Sequence, residues 1–297
     1  DVIHFPFFDI SRRSLEWKYS LPTIVTIHDL IPVKFYEHYP LGIKNGLNWQ
    51  WQKRAIKNID QIITDSECSK KDIVELLNIS EDKIKVVSLA AASDFRVIKD
   101  QKILDAVKQK YNLPDKFGLY VGDVNWNKNL TTLAKSCLAA DIDLVVIGKG
   151  FSYQGDLNHP ELSELKQFRE LVDGKSTVHQ LGFVETEDLV AIMNLATVYL
   201  QLSRYEGFGL PILEAQACGV PVIASDRSSL PEVAGDSAKL VNIDDLEEIT
   251  QSIRELLANE SQQQDLSSAG LKNSQKYSWE RVAKETLEVY RQLVAQK

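Results

Sequence analysis

The sequence predicts an α/β protein built from two Rossmann-like, doubly wound parallel sheets facing a cleft. Three observations predict it. Short apolar runs alternate with helical patterns from end to end, the signature of a parallel sheet covered on both faces. A polar, charge-mixed stretch from about Asp94 to Lys116 divides these runs into two series. In the second series glycines gather just after the apolar runs, at Gly122, Gly148, Gly150, Gly182 and the Arg204–Gly209 loop. Ligands of open α/β sheets bind beyond the carboxyl ends of the strands, so that edge is the expected site.

In the first series the predicted strands are Val2–Phe5, Thr23–Ile27, Gln61–Thr64 and Ile84–Ser88, with helices at Leu41–Asn58 and Cys68–Leu77. Ser66, followed by Ser69 and Asp72, resembles a helix start. A helical segment, Ile103–Tyr111, lies in the dividing stretch, and the boundary is placed at 102/103. The second series has strands at Gly118–Gly122, Asp143–Ile147, Thr177–Leu181, Thr197–Leu202, Val220–Ala224 and Ala238–Val241. Helices at Leu130–Ala139, Leu162–Leu171, Glu187–Leu195 and Ile212–Cys218 separate them. From Leu246 on the pattern is helical. It ends in an amphipathic segment, Trp279–Ala295, with Val282, Leu287, Val289, Tyr290 and Leu293 at helical spacing. The predicted division is 1–102, 103–278 and a closing helix 279–297. The chain opens without an initiator Met or a signal pattern, so the first domain is expected to be part of a longer chain and incomplete at its N-terminus.

A length of 297 residues suits about two domains. The net charge of −8 argues against a nucleic-acid partner, which needs a basic face. No apolar run approaches the ~20 residues of a membrane span, which leaves peripheral membrane association open. Three scattered cysteines, Cys68, Cys137 and Cys218, suit a reducing, cytoplasmic setting and no disulfide framework.

The stretch Glu206-Gly207-Phe208-Gly209-Leu210-Pro211-Ile212-Leu213-Glu214 is the most informative. It follows an apolar strand and opens a helix, with proline in the position that tolerates a missing N–H. Glycines let a ligand approach the backbone, and a helix N-terminus offers free N–H groups and a positive dipole to an anion. Carboxylates repel phosphate, so Glu206 and Glu214 should face sugar and ribose hydroxyls, which donate hydrogen bonds. The bland alternative is a solvated loop with a glutamate that suits the dipole. Lys128 opens a helix where a cation is unfavourable unless an anion lies nearby. Asn127 and Asn129 suit a helix cap. His28 follows a strand and could bond a sugar hydroxyl, with Asp29 holding its tautomer or contacting an acceptor. His4 sits at another strand end, and His38, His159 and His179 lack a comparable setting. Ser225 to Glu232 follows a strand and reads either as cleft lining or as a turn with a helix cap.

These residues together resemble the retaining glycosyltransferases of the GT-B type, glycosyl transferases group 1 (family 4-like). The resemblance rests on Glu206 to Glu214 followed by Ala215-Gln216-Ala217-Cys218-Gly219-Val220-Pro221, and on Leu181-Gly182-Phe183-Val184, Ser229-Leu230-Pro231-Glu232 and Lys128-Asn129-Leu130. It extends to Thr26-Ile27-His28-Asp29-Leu30 and Ser278-Trp279-Glu280. It implies catalytic roles for Glu206 and His28 at the donor sugar and for Lys128 at the phosphates. It also implies donor-binding roles for Gly122, Val184, Arg204, Gly207, Phe208, Gly209 and Leu210, a ribose-binding Glu214, and no metal or other cofactor. The family's arginine near the lysine is replaced here by Asn127 and Asp123, which shifts the phosphate charge onto Lys128, with Arg204 or Lys149 as helpers.

The expected function is transfer of a sugar from a nucleotide-diphosphate-sugar to a sugar or lipid-linked acceptor with retention, in polysaccharide or glycoconjugate synthesis. The pattern around His28 to Pro32 leans toward mannosyl or rhamnosyl transfer. Two rivals satisfy the same motifs: a non-catalytic nucleotide-sugar-binding module, and a nucleotide-sugar epimerase on the same fold.

Overall fold

The computed structural model describes residues 1–295. The chain forms two compact units. The first holds residues 1–89, Glu206–Phe208 and the chain from Ser278 on; the second holds Ala90–Tyr205 and Gly209–Tyr277. The first crossing thus falls at 89/90, ahead of the 102/103 boundary read from composition. Phe95 and Ile98 already sit in the second unit's core.

In the first unit, β1 (Ile3–Phe5), β2 (Thr23–Thr26), β3 (Gln61–Thr64) and β4 (Ile84–Val86) form a parallel sheet in sequence order. Helices α1 (Ile31–Lys34), α2 (Gly42–Ala55) and α3 (Glu67–Leu77) intervene, and α12 (Trp279–Ala295) belongs to this unit. Successive strand residues face opposite sides, and the two cores follow that alternation. Val25 and Ile62 pack with Ile56, Ile73 and Leu77 on one side. Ile24 and Ile63 pack with Val289 and Leu293 of α12 on the other.

The second unit contains β5 (Phe117–Val121), β6 (Asp143–Ile147), β7 (Val178–Gly182), β8 (Val198–Gln201), β9 (Val222–Ser225) and β10 (Lys239–Val241), in parallel order β10-β9-β8-β5-β6-β7. One face packs with α7 (Thr186–Leu195) and α8 (Leu210–Ala217) through Leu119, Val145, Tyr199, Ile192 and Ile212. α4 (Gln101–Lys110) joins that face through Val107. The opposite face packs with α5 (Leu130–Ala140), α6 (Ser163–Val172) and α10 (Leu246–Ala258) through Leu133, Phe168 and Ile253. The short α9 (Leu230–Ala234) and α11 (Glu260–Ser274) complete the unit. Chain direction across the sheet reverses between β5 and β8, which makes their carboxyl ends the topological switch point.

Every predicted strand exists, with ends shifted by at most two residues. Two short helices lay outside the sequence reading, α1 and α9. Each is too short for helical periodicity to show, and each carries a proline in its first turn. The burial of Leu293 yields a direct test. Leu293→Ala should destabilise the first unit by about 2–3 kcal/mol, seen as a lower urea midpoint. Leu287→Ala, at a position 43% exposed, should stay within about 0.5 kcal/mol.

Candidate functional site

At the switch point the loops after β5 and β8 are stitched together. Arg204 N donates to Asn127 O at 2.7 Å, Asn127 Nδ2 to Tyr205 O at 2.9 Å, and Asn129 Nδ2 to Leu202 O at 3.0 Å. Neither asparagine side chain caps α5, contrary to expectation. Asn129 stands at the cap position in a left-handed conformation, with no side-chain cap bond. The α5 start is satisfied from elsewhere. Buried Glu164 of α6 accepts from Thr131 N at 2.8 Å through Oε1.

The other oxygen of Glu164 accepts from Arg204 Nη1 at 2.9 Å. The same nitrogen donates to Trp126 O, and the guanidinium lies 5.2 Å from the centre of the Trp126 ring. Arg204, expected to help at the phosphates, makes this ion pair through Nη1. A carboxylate that caps a helix and neutralises an arginine accounts for its position without a ligand. Lys128 ends the 3-10 turn Trp126–Lys128 between these anchors and is half-buried. Lys149, the other expected helper, places its ammonium 5.0 Å from the centre of the exposed Phe183 ring. Gly122 N donates to Ile147 O at 3.0 Å, at the ends of β5 and β6. The Val184 side chain is buried in the core, so its backbone is what it offers to this edge.

The α8 start is the second element of the site. Gly209 adopts φ +104°, and a Cβ there would lie 2.6 Å from Leu230 Cδ2. The left-handed φ favours glycine, and a side chain there would also have to displace the Leu230 methyl. Helix α8 begins at Leu210, earlier than the predicted Ile212, with Pro211 in its first turn. Its cap residue, Gly209, has no side chain with which to cap it. By contrast, Ser66, Asp100, Asp245 and Asn259 cap α3, α4, α10 and α11. Glu214, one turn further on, is desolvated enough to push its carboxyl up to about 7.

The remaining candidates belong to the first unit. Glu206, Gly207 and Phe208 are buried there. A Cβ on Gly207 would lie 2.8 Å from Asp29 Cβ, so the segment packs directly on the loop after β2. His28 Nδ1 donates to Asp65 Oδ2 at 2.7 Å, and that hydrogen bond raises the imidazole above its ordinary pKa. The expected orienting residue was Asp29. The structure gives that role to Asp65, while Asp29 Oδ1 accepts from Ile31 N at 3.0 Å and caps α1. His4 is internal, with its nitrogens 2.6 Å from Tyr290 Oη and 2.8 Å from Thr26 Oγ1. A cavity of about 150 Å³ beside His28 is walled by Phe7, Phe8 and Pro32 and edged by Asp9 and Asp29.

Among the described residues no cluster of three or more His, Cys, Asp or Glu is placed to hold a metal. An Asp-x-Asp triplet does occur, Asp141-Ile142-Asp143, but it lies at the amino end of β6, opposite the switch point. Sequence reasoning missed Glu164 and Asp65. Asp65 had one usable signal, a position just after β3 matching that of His28 after β2.

Two tests follow from these environments. Glu164→Ala leaves the Arg204 charge without its partner and should cost about 3 kcal/mol, read from chemical denaturation. Glu214 has a folded pKa above its ordinary 4.5, so the native state binds more protons than the unfolded one between these values. Stability should therefore fall as pH rises from about 4.5 to about 7. Melting curves of Glu214→Gln across that window should lack this decline.

Comparison with known proteins agrees with this geometry. The family described as "Glycosyl transferases group 1" matches residues 102–273, and "Glycosyltransferase Family 4" matches residues 1–90. The serotype-specific mannosyltransferase WbdA of Escherichia coli is 30% identical over 294 residues, covering 96% of this chain and 35% of that protein. The O-antigen chain mannosyltransferase B of Escherichia coli is 31% identical over 280 residues, covering 91% of this chain and 70% of that protein. The chain thus spans about a third of the length of WbdA. Sucrose-phosphate synthase from Thermosynechococcus elongatus has a TM-score of 0.76 at 23% identity, over 94% of this chain and 70% of that one. Anabaena HepE in complex with UDP-glucose has a TM-score of 0.75 at 16% identity, over 92% and 72%. The two parallel sheets have the GT-B fold of these structures, and the chain belongs to the glycosyl transferases group 1 family.

Proposed function

We propose that the protein transfers a sugar, with mannose favoured, from a nucleotide-diphosphate-sugar to a hydroxyl of a growing saccharide or lipid-linked saccharide, with retention at the anomeric carbon. The observation that carries this reading is the α8 start, opened by a left-handed glycine, set at the switch point and flanked in sequence by two glutamates. Mannose is favoured because relatives at 30% and 31% identity are named mannosyltransferases. HepE, solved with UDP-glucose, supports a nucleotide-diphosphate-sugar as donor class.

In this mechanism the bond from the anomeric carbon to the diphosphate breaks, and a bond to the acceptor oxygen forms on the same face. The acceptor proton leaves with the diphosphate or to solvent. Negative charge grows on the leaving group, where Lys128 and the amides at the α8 start meet it without reorganisation, and no metal is assigned to that step. Glu206 accepts hydrogen bonds from donor-sugar hydroxyls and Glu214 from the ribose. Asp65 engages Nδ1 of His28 and so orients the ring for the sugar. The cavity beside His28, with aromatic walls and carboxylate edges, suits a saccharide acceptor. Among the described residues no helix is long and apolar enough to cross a membrane. A cytoplasmic site of action, with any membrane contact peripheral, is part of the same proposal.

Turnover of a panel of nucleotide-sugars, mannosyl donors included, tests the reading. Lys128→Ala should lower kcat by about 10²–10³-fold; near-wild-type turnover would reject its role. Binding without turnover or donor hydrolysis would instead mark a binding module. Calorimetry separates the glutamates: Glu214→Ala should weaken the bare nucleoside diphosphate, whereas Glu206→Ala should weaken only the sugar-bearing donor. Ribose hydroxyls favour the ionised Glu214, so nucleoside diphosphate binding near pH 6.5 should release a proton, and Glu214→Gln should abolish that release.

A further inference from the structure

Two serine hydroxyls in the first unit converge on one carbonyl. Ser66 Oγ donates to Gly207 O at 2.6 Å, and Ser69 Oγ lies 3.0 Å from the same oxygen. Ser69 Oγ is also 3.0 Å from His28 O, so its single proton is shared between two carbonyls. Both serines are buried, at 0% and 2% exposure. Ser66 additionally caps α3, accepting from Ser69 N at 3.0 Å.

Capping explains only half of this arrangement. A cap needs an acceptor, and asparagine or aspartate serves equally well. Donation to Gly207 O needs a hydroxyl proton, which capping does not use. Ser69 takes no part in the cap through its side chain, yet its hydroxyl meets both carbonyls. A buried carbonyl that loses its donors is costly, so the Gly207 peptide is tied to the α3 start. That peptide joins Gly207 to Phe208, directly after Glu206. The absence of a Gly207 side chain allows the approach: a Cβ there would lie 3.1 Å from His28 O and 2.8 Å from Asp29 Cβ.

We infer that Ser66 and Ser69 are positioning residues that hold the Glu206–Phe208 segment and the His28 backbone in one fixed arrangement. The inference rests on the proposed assignment of Glu206 and His28 to the donor sugar. Neither serine touches the sugar; both act through the peptides that carry those side chains. Asp65 precedes Ser66 directly and fixes the His28 ring, so three residues at the α3 start, Asp65, Ser66 and Ser69, set both sugar-facing groups.

The test uses Ser66→Gly, which removes the hydroxyl at a small capping cost, Ser69→Ala, which leaves the cap intact, and Ser66→Thr, which keeps a donor and a cap. Hydrogen exchange on the protein without ligand reads the tether itself. The amides of Gly207 and Phe208 should exchange about tenfold faster in Ser66→Gly and Ser69→Ala and at the wild-type rate in Ser66→Thr. Kinetics with GDP-mannose as donor, and UDP-glucose as second probe, read the consequence. For the probe that is turned over, kcat should fall about tenfold or more in the first two variants and recover in Ser66→Thr, while binding of the bare nucleoside diphosphate stays within about twofold. Unchanged exchange in both variants overturns the inference whatever the donor. Faster exchange with unchanged kcat overturns it as well, provided that Glu206→Gln is inactive. A fully active Glu206→Gln would sink the assignment of Glu206 instead, and the exchange data would still decide the tether.

Discussion

One backbone turn underlies the whole site. The chain leaves β8, turns through Gly209 at φ +104°, a conformation that favours glycine, and starts α8 against Leu230. Pro211 then starts the helix without needing a partner for its nitrogen. Where Ser66, Asp245 and Asn259 cap α3, α10 and α11, α8 opens on a glycine that has no side chain to do so.

The rest of the second unit holds the opposing loop in register with this turn. Glu164 links the α5 start to Arg204, and Asn127 and Asn129 bond the backbone of the 202–205 segment. This network uses the cation that sequence alone would have offered to a phosphate. Lys128 is then the principal positive group assigned to the leaving diphosphate. The first unit uses a similar device: an aspartate on a neighbouring strand end fixes His28, and two hydroxyls fix the Gly207 peptide.

The sheet architecture was legible because buried parallel strands read as short apolar runs. Gln61–Thr64, Asp143–Ile147 and the closing helix Trp279–Ala295 match to the residue. The α8 turn was legible because glycine and proline have few other uses in that order. Partnerships made across the fold were not. Thr26 pairs with Ile63, so the residues two steps on, His28 and Asp65, meet side by side. That follows from strand register, whereas the adjacent Asp29 was the only orienting acid visible in one dimension. The ion pair of Arg204 was hidden for the same reason: its carboxylate partner lies 40 residues away, in the first turn of α6. Residues 127 and 129 look like caps in sequence because asparagine is a good cap; a left-handed backbone at Asn129 and a carboxylate from α6 displaced that role.

The most direct measurement is an experimental structure of the protein soaked in a nucleoside diphosphate. The account predicts phosphate oxygens within hydrogen-bonding distance of the backbone amides at the α8 start and of Lys128 Nζ, with ribose hydroxyls on the Glu214 carboxylate. A diphosphate bound elsewhere, with the α8 start left empty at saturating ligand, would contradict it.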